Sequence, residues 1–422
     1  MAIEVCGGSH VQGELRVQGS KNAVLPMMAA AVLCQGETVI TNCPDITDVH
    51  AMAEVIRGIG GNVTYNEKEH CLTIDSSSVQ TGEMEEKSVK EIRASVLFLG
   101  SMLARFSQIK IHYPGGCSIG SRPIDFHLCG FARMGVQTTE QEEYICCEAP
   151  EGLHGASILL PFPSVGATEN MILAAVQAEG TTKILRAARE PEIVELCCFL
   201  RKMGAKITGE GTESIEIQGV RKLYPVQWQL GTDRIALLTW SMMTAGCGGD
   251  VFLETDSVMS EAEQEVLAAL GCQLQWETVG VRVIQQSVPH PVPYLCTKPY
   301  PGYPTDGQSL VMAALCKGSG VSIIEERIFE NRFRMIYQLK KMGANIDFVS
   351  NRACITGVTK LHGAKIRADD LRSGAGLLIA AAMADGTSNL SGEQYIYRGY
   401  ERMEEQMRQI GLEVQKASGQ PA

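Results

Sequence analysis

The sequence predicts an α/β fold assembled from about six copies of one small unit, each a sheet with amphipathic helices packed on one side. The first observation behind this is self-similarity. A helix-like stretch rich in Ala, Leu and Met leads into a Gly-Thr-type turn and a β-branched run, and a second helix then ends in glycine. Examples are "NMILAAVQAEGTTKIL … EIVELCCFLRKMGAKI" and "SLVMAALCKGSGVSII … FRMIYQLKKMGANI". The second observation is the spacing of those glycines. Gly60, Gly135, Gly204, Gly271, Gly343 and Gly411 recur at roughly 70 residues, longer than solenoid periods and suited to globular subdomains. Each stands where a helix C-terminus favours positive φ. Third, the chain restarts after each glycine with strand-like alternation, as in "AKITGEGTESIEIQGV".

A length of 422 residues suits two or three domains, and 45% hydrophobic residues is ample for sizeable cores. The amino terminus, Met1 to His10, has neither the basic nor the apolar region of a secretion signal. The longest apolar stretch, Ala23 to Cys34, contains Pro26 and is shorter than the ~20 residues of a membrane span. The 15 cysteines are odd in number and scattered, with no CxxC pair, which argues against a disulfide framework and the usual zinc spacings. A reducing cytoplasm is the expected setting. A net charge of −11 disfavours nucleic acid as a partner. An acidic chain can still bind an anionic small molecule by gathering its few basic groups in one place.

The residues that open the first helix of successive copies are Lys21-Asn22, Arg93, Ser164, Asp233-Arg234, Asp306 and Arg372. Repetition alone implies architecture and need not imply function. Here, however, charged or hydrogen-bonding groups recur at one equivalent place. Helix N-termini carry free N–H groups and partial positive charge, so several converging would make an anion site.

Three motifs carry chemistry. "GELRVQGSKNAVLP" puts Lys21 and Asn22 after a Gly-Ser turn, where lysine is either a solvated helix start or a point charge for phosphate. "HYPGGCSIGSRPIDFH" sets Cys117 between glycines and near Arg122, the setting of a reactive thiol on a closing loop; most other cysteines read as small buried hydrophobes. His112 and His127 flank this segment and read as hydrogen-bonded structural residues. "KPYPGYPTDGQS" places Asp306 at a helix start, as a simple N-cap or as a carboxylate able to take a hydroxyl proton. Arg332 in "FENRF", Arg372 in "DDLRSG" and Arg398 in "YRGYER" supply cations from the later copies.

Taken together, "GSKNAVLP", "RAS" at Arg93, "PGGCSIGSRPIDFH", "PSVGATEN", "AAREPEI", "YPGYPTD", "IFENRF", "DLR" and "RGYER" resemble the UDP-N-acetylglucosamine 1-carboxyvinyltransferase family over nearly the whole chain. The resemblance implies two similar domains, each three copies of a β-α-β-α-β-β unit around a pseudo-threefold axis. The first would span 21–229, and the second 1–20 with 230–422, with the substrates between them. It implies enolpyruvyl transfer from phosphoenolpyruvate to UDP-N-acetylglucosamine, the first committed step of peptidoglycan precursor synthesis. Lys21, Arg122 and Arg398, with Asn22 beside them, would hold phosphoenolpyruvate. Arg93, Arg122, Pro123, Ile124, Asp125, Phe126, Ser164, Val165, Gly166, Asp306 and Ile328 would contact the UDP-sugar, with Arg332 and Arg372 adding positive charge. Cys117 would be the general acid and the target of the epoxide fosfomycin, and Asp306 the base. No metal or organic cofactor, nucleic acid or membrane is implied.

The sequence departs from the family's pattern at Ala236, Gly307, Leu310, Met335 and Tyr397. Two other readings stand beside the main one. One is a non-catalytic or altered-specificity paralogue that binds the UDP-sugar. The other is 5-enolpyruvylshikimate-3-phosphate synthase, which lacks the cysteine loop.

Overall fold

The computed structural model describes residues 2–80, 84, 86–115, 119–120 and 122–417. The chain divides into two compact units. One holds the residues up to Gln18 and those from Thr232 on, together with Ile119 and Gly120; the other holds the rest from Gly19 to Gly231.

In the Gly19–Gly231 unit, strand Glu37–Thr41 pairs antiparallel with Cys71–Asp75, which pairs antiparallel with Asn62–Asn66. Gln227–Gln229 adds in parallel on the other edge, so the end of the unit closes onto its beginning. The same pattern recurs with Ser157–Leu159, Thr181–Leu185, Ser214–Gln218 and Lys206–Thr208. A third sheet has three strands among the described residues: Gln108–His112, Tyr144–Glu148 and Gln137–Glu140.

The other unit repeats the arrangement three times. Its sheets run Val11–Arg16, Gly249–Glu254, Gly280–Gln285, Gln273–Glu277; then Leu295–Cys296, Val321–Glu325, Arg352–Thr356, Asn345–Val349; then Lys365–Arg367, Thr387–Ser391, Ala2–Cys6, Glu413–Ala417. Each first pair is parallel and the rest antiparallel. The two amino-terminal strands therefore complete sheets whose other strands lie far along the chain.

Each unit turns its helices inward. The first helices, such as Lys21–Ala31, Val165–Ala175, Arg234–Cys247, Thr305–Leu315 and Leu371–Met383, are buried almost all round. Their Ala, Leu and Met leave no polar face, and such a helix is stable only when surrounded. Arg234–Cys247, Thr305–Leu315 and Leu371–Met383 pack on one another at the centre of their unit, as Phe98–Phe106 does on Val165–Ala175 in the other. The second helices are amphipathic: Pro191–Lys202 buries Ile193, Leu196, Cys197, Phe199 and Leu200 and leaves Arg201 and Lys202 toward water. At the ends of the second helices, Gly60, Gly135, Gly204, Gly271, Gly343 and Gly411 have φ between +89° and +109°, as their spacing in the sequence requires. Among the described residues no helix is long and apolar enough to cross a membrane, and the cysteines are free thiols.

Candidate active site

Each unit carries part of the expected site, built from the first turns of its central helices. In the unit that ends the chain, Pro304 is the N-cap of Thr305–Leu315, so the Asp306 side chain is not used as a cap. Its Oδ1 accepts from Arg332 Nη2 at 2.6 Å and its Oδ2 from Arg372 Nε at 3.1 Å. Both guanidinium groups are 3% exposed, whereas the carboxylate is 26% exposed. The cations are sealed behind it while one edge faces solvent. An anion on the first turn of a helix is further favoured by the helix dipole.

The cations are themselves anchored. Arg332 lies 3.7 Å from Asp370, whose carboxylate caps Leu371–Met383 through the Arg372 and Ser373 amides. Arg372 Nη1 donates to the Tyr400 hydroxyl at 2.9 Å, and Tyr400 contacts Thr239 Oγ1 at 2.7 Å. Thr239 donates its own proton to the Ile235 carbonyl, so Tyr400 is the donor between the two hydroxyls. Burial opposes the Arg372 charge, but Tyr400, Asp306 and Asp233 outweigh it and hold that charge more firmly than usual. Arg398 lies in the same turn as Tyr400. The Gln18 side chain clamps this turn, donating to Gly399 O at 3.0 Å and accepting from Glu401 N at 2.8 Å.

In the Gly19–Gly231 unit, Lys21 opens its helix with Ser20 as N-cap, and its Nζ lies 2.7 Å from Asp48 in a buried pair. Asn22 follows it on the same first turn. Arg93 opens a 3₁₀ turn and its guanidinium donates to the Arg122 carbonyl. Burial, and then the Arg122 charge, pulls Arg93 down to about 10. Pro123 is exposed, Ile124 is buried ahead of helix Asp125–Arg133, and Asp125 and Phe126 form that helix's first turn. Ser164 caps Val165–Ala175 by accepting from Ala167 N at 3.4 Å, with Val165 and Gly166 next along the turn.

Between these segments sits His127. Asn170 Oδ1 is occupied by the Gly100 N–H at 2.8 Å, so its Nδ2 faces His127 Nδ1, 2.7 Å away, as donor. The imidazole is thereby neutral with its proton on Nε2. Burial, helped by the charges of Arg93 and Arg122, holds it down at about 3. Glu169 goes the other way: burial, reinforced by Glu192 and Glu190, raises its carboxyl well above the usual range.

The structure thus joins Asp306, Arg332 and Arg372 in one network, with Arg398 on an adjoining turn and Ile328 held by Glu326, which also accepts from Thr305 next to Asp306. Arg93 and Arg122 are joined in the other unit, where Lys21 forms a separate pair. Cys117 lies outside the described residues. Nearby in sequence, the Ile119 carbonyl accepts from Asn331 N at 2.9 Å. Among the described residues no group of three His, Cys, Asp or Glu could hold a metal ion.

Comparison with known proteins decides the family. The family model described as EPSP synthase (3-phosphoshikimate 1-carboxyvinyltransferase) matches residues 5–407. A UDP-N-acetylglucosamine 1-carboxyvinyltransferase of Dinoroseobacter shibae is 41% identical over 417 residues, 98% of each chain. One from Corynebacterium jeikeium is 41% identical over 413 residues, again 98% of each. The chain belongs to the UDP-N-acetylglucosamine 1-carboxyvinyltransferase family. Its fold is that of the enolpyruvyl transferases. The enolpyruvyl transferase NikO of Streptomyces tendae superposes with a TM-score of 0.88 at 22% identity, covering 98% of both chains. An EPSP synthase of Acinetobacter baumannii gives 0.74 at 18% identity, covering 99% of this chain and 100% of that one.

The departures from the family's pattern are packed into the structure. Ala236 is buried, and its N–H is taken by the Asp233 cap. Leu310 and Met335 lie in the core. At Gly307 a Cβ would stand 2.8 Å from Leu238 Cδ2 and 2.9 Å from the Tyr303 hydroxyl. Tyr397 donates to Glu404 and lies beneath Lys416, 5.3 Å from its ring centroid.

Residues that sequence reasoning did not single out complete both parts of the site. Glu169 and Asn170 end the "PSVGATEN" stretch, Tyr400 sits inside "RGYER", and Asp370 carries the N-cap signal of Asp before a helix, so each had a signal. Gln18 and Asp48 had none.

Proposed function

We propose that this chain moves the enolpyruvyl group of phosphoenolpyruvate onto the 3-hydroxyl of UDP-N-acetylglucosamine, releasing phosphate, in the cytoplasm and as the first committed step of peptidoglycan precursor synthesis. Lys21, Arg122 and Arg398, with Asn22, match the phosphate and carboxylate of the donor. Arg93, the segment from Arg122 to Phe126, Ser164 to Gly166, and Ile328 take the UDP-sugar. Asp306 accepts the proton of the sugar 3-hydroxyl as its oxygen adds to C2 of phosphoenolpyruvate, while Cys117 protonates C3. The tetrahedral ketal then loses a proton from C3 and phosphate from C2, restoring the double bond. Positioned acid and base groups of this kind each contribute about 10²–10⁴ in rate.

One observation carries the reading: in a member of this family, the partly exposed Asp306 carboxylate is held at a helix start by two buried guanidinium groups. Fixed charges around a reacting group are worth most where water is excluded. Mass spectrometry of the products tests it. The expected result is a UDP-sugar heavier by one enolpyruvyl unit; unchanged UDP-sugar after prolonged incubation with phosphoenolpyruvate refutes it.

A further inference from the structure

Glu326 is 3% exposed and accepts four hydrogen bonds. Its Oε1 takes Ile328 N at 2.7 Å, Phe329 N at 3.2 Å and Thr297 Oγ1 at 2.9 Å, and its Oε2 takes Thr305 Oγ1 at 2.9 Å. Thr297, itself fully buried, also accepts from Arg327 N at 2.9 Å, so the start of the turn is held from a second side. Every donor is neutral, and no cation forms an ion pair with this carboxylate among the described residues. A buried carboxylate is a costly way to hold an ordinary turn, since its desolvation is offset only by well-placed donors.

Three of the four donors belong to two segments that matter. Thr305 immediately precedes Asp306 on the first turn of its helix. Ile328 is the residue expected at the UDP-sugar, and the ring of its neighbour Phe329 lies 5.3 Å below the Arg332 guanidinium that holds Asp306. Glu326 thus closes a ring: from Asp306 through Thr305, Glu326, Phe329 and Arg332 back to Asp306.

We propose that Glu326 is a positioning residue that holds the acceptor-binding turn and the proton-accepting carboxylate in one register. The inference rests on the reading of Asp306 as base and Ile328 as an acceptor contact. A misplacement of about 1 Å in such a pair is enough to cost about 10²-fold in rate. Replacing the carboxylate by Ala strands both turn amides and frees the Thr305 side. A carboxamide keeps one oxygen for the turn and offers its NH₂ to Thr305 Oγ1, which then accepts.

Steady-state kinetics and thermal unfolding of full-length Glu326→Ala, Glu326→Gln, Thr305→Val and Asp306→Asn test this. Glu326→Ala is expected to lower kcat by about tenfold or more and raise KM for UDP-N-acetylglucosamine, leaving KM for phosphoenolpyruvate within about twofold. Glu326→Gln restores most of the loss. Thr305→Val lowers kcat alone, because the Ile328 turn stays held. A folded Glu326→Ala with kcat and both KM values within about twofold of the parent overturns the inference. Should that variant not fold, unchanged kcat in Thr305→Val overturns it instead. Full turnover by Asp306→Asn removes the underlying reading and the inference with it. An inactive Asp306→Asn beside an unaffected Glu326→Ala removes the inference alone.

Discussion

Arg372 donates from Nε to Asp306 Oδ2 at 3.1 Å, and its other arm is fixed by the Tyr400 hydroxyl at 2.9 Å. The orientation of the carboxylate therefore depends on a phenol two positions from Arg398. Tyr400→Phe keeps the ring but leaves Arg372 Nη1 and Thr239 short of a partner. We expect a stability loss of about 1–3 kcal/mol, the range for a buried donor left unsatisfied. Turnover should fall by about tenfold with KM for phosphoenolpyruvate little changed, as when an interaction that orients the reacting group is lost. Thermal unfolding and steady-state kinetics check both, and unaltered turnover contradicts the positioning of Arg372 by Tyr400.

His127 and Glu169 predict opposed pH dependences. His127 titrates at about 3 when folded, against a usual 6.5, because of burial and the charges of Arg93 and Arg122. The unfolded chain takes up a proton that the folded one refuses. Its contribution is therefore present above about 6.5 and lost toward pH 3, by about 1.4 kcal/mol per unit. Glu169 is raised well above 4.5 by burial and by Glu192 and Glu190, so its contribution is full below pH 4.5 and lost as pH rises through the folded value. Above pH 4.5 the two offset each other on acidification. Glu169→Gln removes the half that gains. Relative to the parent, its denaturant stability should fall as pH drops toward 4.5. Parallel stability–pH curves for the two proteins contradict this assignment.

Gly307 is fixed by its neighbours. An added Cβ meets Leu238 at 2.8 Å and the Tyr303 hydroxyl at 2.9 Å, and that hydroxyl also donates to the Gly307 carbonyl. Alanine favours helix by about 1 kcal/mol over glycine, but overpacking costs about 1–3 kcal/mol. Gly307→Ala is expected to lower the unfolding midpoint. A higher midpoint would show that the crowding relaxes freely.

Much of this was legible beforehand because it is local. The six helix-ending glycines take positive φ since the chain must turn there, and the polar residues expected to open the first helices do fall on first turns or, as Ser164 and Asp233, on N-caps. Other features depend on pairs far apart in sequence. A helix-start aspartate such as Asp306 reads equally as a cap; only the positions of Arg332 and Arg372 remove that ambiguity. His127 read as a structural histidine, and it is hydrogen-bonded, but its partner Asn170 also places it beside Arg93 and Arg122. The clamp of Gln18 on the Arg398 turn spans nearly the whole chain, and no periodicity reports such a contact.

Cys117, outside the described residues, keeps the role its glycine-flanked setting suggests. Cys117→Ser is expected to cripple phosphate release, and fosfomycin to form a covalent adduct on the parent in the presence of UDP-sugar. Intact-mass spectra without an adduct, or a serine variant with undiminished turnover, contradict a catalytic thiol.

Phosphate release is the most direct test of the enolpyruvyl transfer itself. The purified chain is given phosphoenolpyruvate with UDP-N-acetylglucosamine, and in parallel with shikimate-3-phosphate. Phosphate from the UDP-sugar reaction only, lowered about 10²–10⁴-fold by Asp306→Asn, is the predicted result. Phosphate with shikimate-3-phosphate, or none with either acceptor while the UDP-sugar still binds, contradicts it.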